Sequence, residues 1–347
     1  MVQVVCLGEI LFDCIADQLG KPLEQVESWT AYPGGAPANV ACALQKLGRS
    51  AAFVGCVGND DRGKALITLL REIGVNTTGV QVNFFAPTRT VLVTRTLTGD
   101  RHFAAFGDQH CTQAFADTQL QPEDLPIDLF AQADFLVTGT LGLASPQTAT
   151  AIAQAVDLIK HYGGEVVVDL NWRPVFWDDP SFAPALIREL LAKADWLKLT
   201  DEEANWLFHT TDLQEIAAEF PQLKAILLTA GEQGCTYWIP AVAQQTPLPH
   251  TAAFAVTPED TTGAGDGFLA GFLHQLCRQG TDVIQHPSQF HEMITYASAV
   301  GALTTLRPGA IAAQPNAQEV EAFLHLQERI HTDLIHTDLT QNYGARN

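Results

Sequence analysis

Short apolar runs rich in β-branched residues alternate along most of the chain with segments of helical period. Residues 37–47 have the pattern of a helix that ends at Gly48, and residues 63–73 that of a helix that ends at Gly74. This alternation predicts an α/β fold with a mostly parallel central sheet and helices on both faces. The strand candidates are VQVVCLGE, AAFVGCVG, ADFLVTG, GEVVVDLN, DWLKLT and AILLTAG.

Two stretches depart from this rhythm and alternate in the manner of exposed strands. They cover residues 13–32 and 88–106 approximately, and the second contains Thr98-Gly99-Asp100, which is typical of a hairpin turn. We expect them to form a small β-lid beside the main sheet, with ordinary edge hairpins as the alternative. The expected organisation is one domain over residues 1–329, including the lid, and a polar tail over residues 330–347.

The tail repeats the pentapeptide IHTDL at residues 330–334 and 335–339. We interpret it as a frayed helix or an extended tail. A histidine metal site formed by His331 and His336 is disfavoured, because residues five apart lie on different faces of a helix and no other ligands stand nearby.

Composition narrows the classes of partner. The chain has 347 residues, 47% of them hydrophobic, with neither an 18-residue apolar run nor a signal-peptide pattern, so a cytoplasmic protein is expected. A net charge of −20 disfavours nucleic acid and anionic membranes, since binding to phosphate backbones depends on Lys and Arg. A nucleotide is compatible with this charge, because Mg2+ and helix-start N–H groups offset phosphate locally. The seven cysteines lack metal-site spacing, which indicates reduced core residues.

The segment DTTGAGDG at residues 260–267 is followed by FLAGFLHQL, which has the apolar spacing of an amphipathic helix. A glycine-rich turn that leads into a helix suits an anion, because Gly263, Ala264 and Gly265 let a phosphoryl group approach the open N–H groups. Asp266 falls in the first turn. Beside bound phosphate its carboxylate would accept a proton or hold a metal; an ordinary first-turn acid that suits the helix dipole is the alternative.

DTTGAGDGFLAGFL resembles the second signature of the PfkB (ribokinase-like) family of carbohydrate kinases, and PGGAPANVACALQKLG at residues 33–48 resembles the first. The segments VGNDDRG, DLNWRP, LTDEE and LTAGEQG also follow the family pattern, so the resemblance spans residues 4 to about 325. It implies the ribokinase-like α/β fold and phosphorylation of a sugar hydroxyl by ATP.

The resemblance implies which residues contact the sugar. Asp13, Gly34, Gly35 and Asn39 are expected to bind it, because glycines let the backbone approach a sugar ring while Asn and Asp offer donors and acceptors. The alternatives are a plain strand-to-helix turn at the glycine pair and a residue near the N-cap at Asn39. Asp266 would contact the sugar too, as the base that takes the proton from the attacking hydroxyl.

The transfer itself is expected to be in line, with Gly263, Ala264 and Gly265 as the anion hole and no covalent phosphoenzyme. Mg2+ would bridge the ATP phosphates with help, through water, from Glu203, although the family often has Asn at the position of Thr200. The resemblance further implies ATP contacts at Asn171, Arg173, Thr229, Gly231 and Gly234.

A monovalent cation beside the anion hole, expected to be K+, matches Asp260, Thr262 and the region around Gly309. The alternative for Asp260 is an Asx turn. A homodimer is expected as well, because lid strands in this family often pair between subunits and the apolar Val91, Val93 and Phe103 would cover such a face.

Within the family, the chain is most similar to fructokinases, so D-fructose is the expected substrate. The segments that carry this similarity are GEILFD, PGGAPANVA, DLNWRPVFW and KLTDEE. FGDQHC at residues 106–111 departs from the fructokinase pattern after the lid, which leaves 2-keto-3-deoxygluconate and other sugars open. A non-catalytic kinase-like regulatory protein is disfavoured by the intact GAGD motif. A nicotinamide-dependent oxidoreductase is disfavoured because GxGxxG does not follow the first strand.

Overall fold

A computed structural model describes residues 2–97, 101–107 and 115–329. Its strands are β1 Val4–Leu7, β2 Leu11–Ala16, β3 Trp29–Gly34, β4 Ala51–Gly58, β5 Asn76–Asn83, β6 Thr90–Arg95, β7 Arg101–Phe106, β8 Phe135–Thr138, β9 Glu165–Asp169, β10 Trp196–Thr200, β11 Ala225–Thr229, β12 Cys235–Trp238 and β13 His250–Thr251. Its helices are α1 Ala36–Lys46, α2 Asp61–Ile73, α3 Ile127–Phe130, α4 Pro146–His161, α5 Ala183–Leu191, α6 Asp201–Phe208, α7 Leu213–Glu219, α8 Ala264–Gln279 and α9 Pro287–Thr304. Residues 317–329 are also helical.

The main sheet has nine strands in the order β13-β12-β11-β10-β9-β8-β1-β4-β5, and only β12 and β13 at one edge pair antiparallel. Successive residues of β1 point into two separate cores: Val5 and Leu7 join one, Val4 and Cys6 the other. A parallel sheet buried on both faces is the reason that its strands read as continuous apolar runs. The predicted α/β fold class is confirmed.

Four strands form a second sheet in the order β3-β2-β6-β7, which we call the lid sheet. It is built from residues 11–34, 90–95 and 101–106, and β2 pairs antiparallel with β3 but parallel with β6. The predicted turn at residues 98–100, Cys111 and the repeated IHTDL tail lie outside the described residues.

The prediction of which lid residues face outward was wrong in part. Val91 is 5% exposed and belongs to the protein's own core, and Val93 packs against that core. Phe103 is 39% exposed, Val93 is only partly exposed, and Phe103 therefore presents the most apolar surface of the three. Alternation of apolar and polar residues assigns side chains to the two faces of a strand, but it does not say which face the neighbouring layer buries.

The sequence predicted an amphipathic helix after the glycine-rich turn, with one face in solvent. Helix α8 is instead buried on all sides over most of its length. Every residue from Gly267 to Leu276 is buried. A Cβ atom on Gly267 would lie 2.6 Å from Thr304 Oγ1, and one on Gly271 would lie 2.8 Å from Val300 Cγ2. These two glycines therefore allow α9 to pack closely against α8.

Strands β5, β12 and β13 were not predicted. Strand β5, NTTGVQVN, is an edge strand that mixes polar residues with apolar ones, so it lacks the apolar run of a central strand.

The cysteines of the described part of the chain agree with the expected core positions: all six are free thiols, and only Cys277 is not fully buried. None of the helices described combines the length and apolar character that a membrane span requires.

A buried ion pair ties the lid sheet to the main domain. Arg89, directly before β6, donates from Nε and Nη2 to the Asp117 carboxylate at 2.6 and 3.0 Å. Both side chains are almost inaccessible, 2% and 3% exposed. The guanidinium also lies 4.6 to 5.2 Å from the ring centroids of Phe106, Phe115 and Phe176. Such a pair is costly to break, because the remaining charge stays buried without its counter-ion.

We expect Asp117→Asn to lower the free energy of unfolding by about 3–5 kcal/mol, because it leaves the Arg89 guanidinium buried beside a neutral amide. Asp157→Asn is the matched control, since Asp157 pairs with Lys193 at 2.6 Å on the surface. It should cost about 1 kcal/mol or less. Urea denaturation of both variants measures the difference, and equal losses would contradict the assignment.

Candidate active site

Two segments far apart in the chain meet at the carboxyl edge of the main sheet. Asn39, in the second turn of α1, donates from Nδ2 to Asp266 Oδ2 at 2.7 Å, across 227 residues of sequence. Asn39 is buried, and Asp266 is half-buried in the first turn of α8. The two sequence signatures thus form one site, with the base candidate held at one carboxylate oxygen.

The turn before α8 leaves hydrogen-bond donors open. Gly263 caps the helix with φ of +79°, and a Cβ atom there would lie 2.9 Å from Ala310 Cα, so the position requires glycine. The N–H of Ala264 donates to Thr261 O at 3.3 Å. By contrast, the N–H groups of Gly265 and Asp266 donate to no residue in the described ranges. These two donors lie at the positive end of a 16-residue helix, a setting whose chemistry suits a bound anion.

The Asp266 carboxylate is a stronger base than an ordinary aspartate. Burial, followed by the nearby Asp169 carboxylate, raises its pKa to about 6, against the lowering effects of Asn39, Lys198 and Arg173. Among residues 2–97, 101–107 and 115–329, only Asn39 donates a hydrogen bond to it, and that bond is at Oδ2. Oδ1 is therefore free to accept a proton, and the carboxylate is mainly ionised at pH 7.

A buried ion pair beneath this turn was missed by the sequence analysis. Lys198 in β10 and Asp169 at the end of β9 are register neighbours, and Lys198 Nζ donates to both carboxylate oxygens at 2.9 and 2.8 Å. The side chains are 6% and 5% exposed. The only signal in the sequence is a charged residue inside each apolar strand, which a buried strand tolerates when it is paired.

The glycine pair of the first signature lies between the lid sheet and α1. Gly35 has φ of +110°, and a Cβ atom there would lie 2.5 Å from Glu9 O. Glu9 accepts the N–H of Ala36 at 2.9 Å, and burial raises its pKa to about 7. A Cβ atom on Gly34 would lie 2.7 Å from Asp13 Oδ2. The structure therefore brings Asp13 and the glycine pair together at the start of the helix that carries the Asp266 contact.

Glu203 organises the loops that follow β9 and β10. Its Oε2 accepts the N–H of Thr200 at 2.8 Å in the capping box of α6, and its Oε1 accepts the N–H of Trp172 at 2.7 Å. Arg173 Nη1 lies 4.0 Å from Oε1, and Asn171 has φ of +42°, a conformation that Asn tolerates better than most residues. Each Glu203 oxygen keeps a lone pair for a water molecule, so the residue fits an outer-sphere contact to Mg2+.

Thr229, Gly231 and Gly234 lie one strand further along the same edge. Thr229 is the register neighbour of Thr200. Gly234 has φ of +100°, and a Cβ atom there would lie 2.1 Å from Thr251 O, so packing against β13 requires glycine. At Gly231 a Cβ atom would meet nothing within 4 Å, which leaves open space at this end of the loop.

Asp260 joins the three segments expected to bind a monovalent cation. Its Oδ1 accepts the N–H of Thr262 at 2.9 Å, and its Oδ2 accepts the N–H of Gly309 at 2.8 Å. The contact with Thr262 is that of an Asx turn, as the alternative expected. The contact with Gly309 is not part of such a turn, because Gly309 lies in a distant loop. Asp260 thus joins Thr262 and Gly309 through backbone N–H groups, and its carboxylate is an oxygen ligand of the kind that a hard cation prefers. The described residues contain no cluster of three His, Cys, Asp or Glu side chains that could hold a metal ion.

Comparison with known proteins agrees with this geometry. Residues 1–317 match the pfkB family carbohydrate kinase profile, and the chain belongs to that family. It is therefore a carbohydrate kinase. A curated relative, "Probable fructokinase-3" of Arabidopsis thaliana, is 33% identical over 334 residues, covering 95% of this chain and 94% of the relative. The predicted family and its similarity to fructokinases are confirmed, and the oxidoreductase alternative is wrong.

Solved structures place the fold among the same enzymes. The fructokinase of Xylella fastidiosa with bound ATP superposes with a TM-score of 0.83 at 27% identity, covering 94% of this chain and 99% of that one. A double mutant of the Vibrio cholerae O395 fructokinase, with fructose, ADP and potassium ion bound, has a TM-score of 0.79 at 28% identity. It covers 93% of this chain and 98% of its own.

Asp266→Asn should stabilise the protein at alkaline pH, because a carboxylate with a raised pKa opposes folding once it is ionised. The pKa rises from 3.8 to about 6 on folding. The cost of ionisation is thus absent below about pH 4, grows as pH rises through this window, and is complete above about pH 6. Urea denaturation at pH 4 and pH 8 tests this, with the exposed first-turn acid changed in Asp61→Asn as control. A variant less stable than wild type at pH 8 would refute it.

Proposed function

We propose that this protein transfers the γ-phosphoryl group of ATP to D-fructose and forms fructose 6-phosphate. The observation that carries the proposal is the Asp266 carboxylate, held by Asn39 at 2.7 Å beside two open N–H donors at the start of α8. Base and anion donors within one helical turn are what phosphoryl transfer to a hydroxyl requires. Fructose as acceptor rests on the similarity to fructokinases, one of which carries bound fructose and ADP.

The sugar is proposed to lie between the lid sheet and the start of α1. Asp13, beside Gly34, and Asn39, beside Asp266, would hold its hydroxyl groups, and the backbone at Gly35 allows close approach of the ring. This arrangement would direct one hydroxyl at the open Oδ1 of Asp266. A lid sheet over the site would also exclude water, which otherwise competes for the phosphoryl group.

In the proposed step, Asp266 Oδ1 takes the proton as the hydroxyl oxygen forms its bond to the γ-phosphorus. The bond from that phosphorus to the bridging oxygen of ADP breaks on the opposite side, and ADP leaves with the electron pair. The N–H groups of Gly265 and Asp266 would hydrogen-bond the transferring group, where negative charge is concentrated. The helix dipole of α8 favours the same charge.

The nucleotide is proposed to lie along the loops after β9, β10 and β11. Arg173, whose side chain is 56% exposed, can reach the phosphates, and the open space at Gly231 admits the nucleoside. The other proposed contacts are Asn171, Thr229 and Gly234. A bound Mg2+ would neutralise charge between the phosphates, and Glu203 would hold one of its waters.

K+ is proposed to bind beside Asp260, Thr262 and Gly309, where it would stiffen the loop that presents the N–H donors. A potassium ion is bound in the Vibrio cholerae fructokinase variant. A homodimer through the lid sheet stays a prediction, for which the exposed Phe103 is the remaining apolar support. The particle mass in solution is the measurement that tests the dimer.

The first experiment is ATP consumption by the purified protein with Mg2+, with and without K+, across fructose, glucose, ribose, 2-keto-3-deoxygluconate and adenosine. Fructose is expected to give the highest kcat/KM, and K+ to raise it. Turnover on 2-keto-3-deoxygluconate alone would keep the kinase chemistry and refute the proposed substrate. No turnover on any acceptor would favour the non-catalytic regulatory reading.

Asp266→Asn is expected to lower kcat by about a hundredfold to ten-thousandfold, because an amide cannot take up the hydroxyl proton at pH 7. Circular dichroism should remain that of the wild type. Asp61→Asn makes the same change in the first turn of α2, at an exposed carboxylate, and should keep full activity. Near-wild-type turnover in the Asp266 variant would remove the base from the mechanism.

A further inference from the structure

The Lys198 ammonium lies directly beneath the phosphate-binding turn. A Cβ atom built on Gly265 would lie 3.1 Å from Lys198 Nζ and 3.7 Å from its Cε. The side chain reaches this position from inside the main sheet, where it is 6% exposed and bonded to both oxygens of Asp169. Its positive end therefore faces the turn that carries the open N–H donors, and its counter-ion lies in the strand beside it.

Burial alone does not account for this placement. A lysine inside an apolar strand costs free energy that a Lys–Asp pair only partly offsets, and apolar residues of similar volume often pack there without loss of stability. The pair is also coupled to the site. Three charged groups shift the pKa of Asp266: Asp169 raises it, whereas Lys198 and Arg173 lower it. Asp266 in turn raises the pKa of the buried Glu9.

We propose that Lys198 and Asp169 form a positioning pair that holds the turn at Gly265 and sets the charge environment of Asp266 during phosphoryl transfer. The inference deepens the proposed function and rests on Asp266 as the base. Lys198 supports the transferring phosphoryl group from below the turn, while Asp169 fixes the ammonium in place. Neither side chain is assigned a contact with the substrate, so both act through the turn and through the base.

The two members of the pair shift the pKa of Asp266 in opposite directions, so the loss of either charge is distinguishable from a loss of packing. Removing the Lys198 charge takes a cation away from the Asp266 carboxylate, so Asp266 should bind its proton more tightly. Removing the Asp169 charge takes away the like charge, so Asp266 should release its proton more easily. Loss of packing alone lowers activity at every pH and leaves the acidic midpoint where it was.

The experiment is the pH dependence of kcat/KM for the sugar from pH 5 to pH 9 in wild type, Lys198→Met, Asp169→Asn and the double variant. We expect the acidic midpoint to rise by about one pH unit in Lys198→Met and to fall in Asp169→Asn. The double variant should lie between them. Ionisation of ATP affects all four proteins equally, so the differences between their midpoints report the base.

Lys198→Met leaves Asp169 buried without its counter-ion, and the variant can fail to fold for that reason alone. The double variant removes both charges and avoids this problem. In it, kcat on the pH plateau should fall about tenfold, because the cation beneath the turn is gone. Because the two charge changes offset each other in the midpoint, kcat is decisive, and a double variant that keeps the wild-type kcat would overturn the proposal.

The matched control is the ion pair between Lys160 of α4 and Asp195, which directly precedes β10 at the opposite end of that strand from the site. Lys160→Met combined with Asp195→Asn changes the same charges and should leave midpoint and kcat unchanged. If Asp266→Asn retains turnover, the proposed function has failed. If Asp266→Asn is inactive but both single variants keep the wild-type midpoint, the inference about the pair alone has failed.

Discussion

Burying several carboxylates at one edge of a sheet is the constraint on which the site depends. Glu9, Asp169, Glu203 and Asp266 all lie at or near the carboxyl ends of the parallel strands, where water is largely excluded. Lys198 is the buried cation among them, and backbone N–H groups and the Asn39 amide hydrogen-bond to Glu9, Glu203 and Asp266 while Asp266 Oδ1 stays open. This balance keeps the carboxylates ionisable in a setting that would otherwise neutralise them.

Close packing of backbone creates the other half of the site. Gly267 and Gly271 allow α9 to contact α8 directly, and Gly263 lets Ala310 approach the turn. Helix α8 is thereby buried along most of its length while its first N–H groups stay open. A helix that is fixed along its sides can present its amino end without rearrangement, which is the condition for electrostatic stabilisation of a transferring group.

The lid sheet is connected to the main domain at both of its ends. It follows β1 through a short segment that contains Glu9, and it leads through Gly34 and Gly35 into α1. The buried pair of Arg89 and Asp117 fixes its other end to the main domain. Asp13 and the glycine pair are thus held on one side of the candidate site and the turn before α8 on the other, and the Asn39 contact with Asp266 couples them.

By itself the sequence determined the features that depend on near neighbours in the chain: the alternation of strands and helices, the lid stretches, and the glycine-rich turn with Asp266 in the first helical turn. It also determined the family through two local motifs. Only the tertiary structure decided that Lys198 pairs with Asp169, that Val91 faces inward, and that α8 is buried on all sides. The physical reason is that register between strands and packing between layers join residues far apart in the chain, and no local pattern specifies which partner a buried group finds.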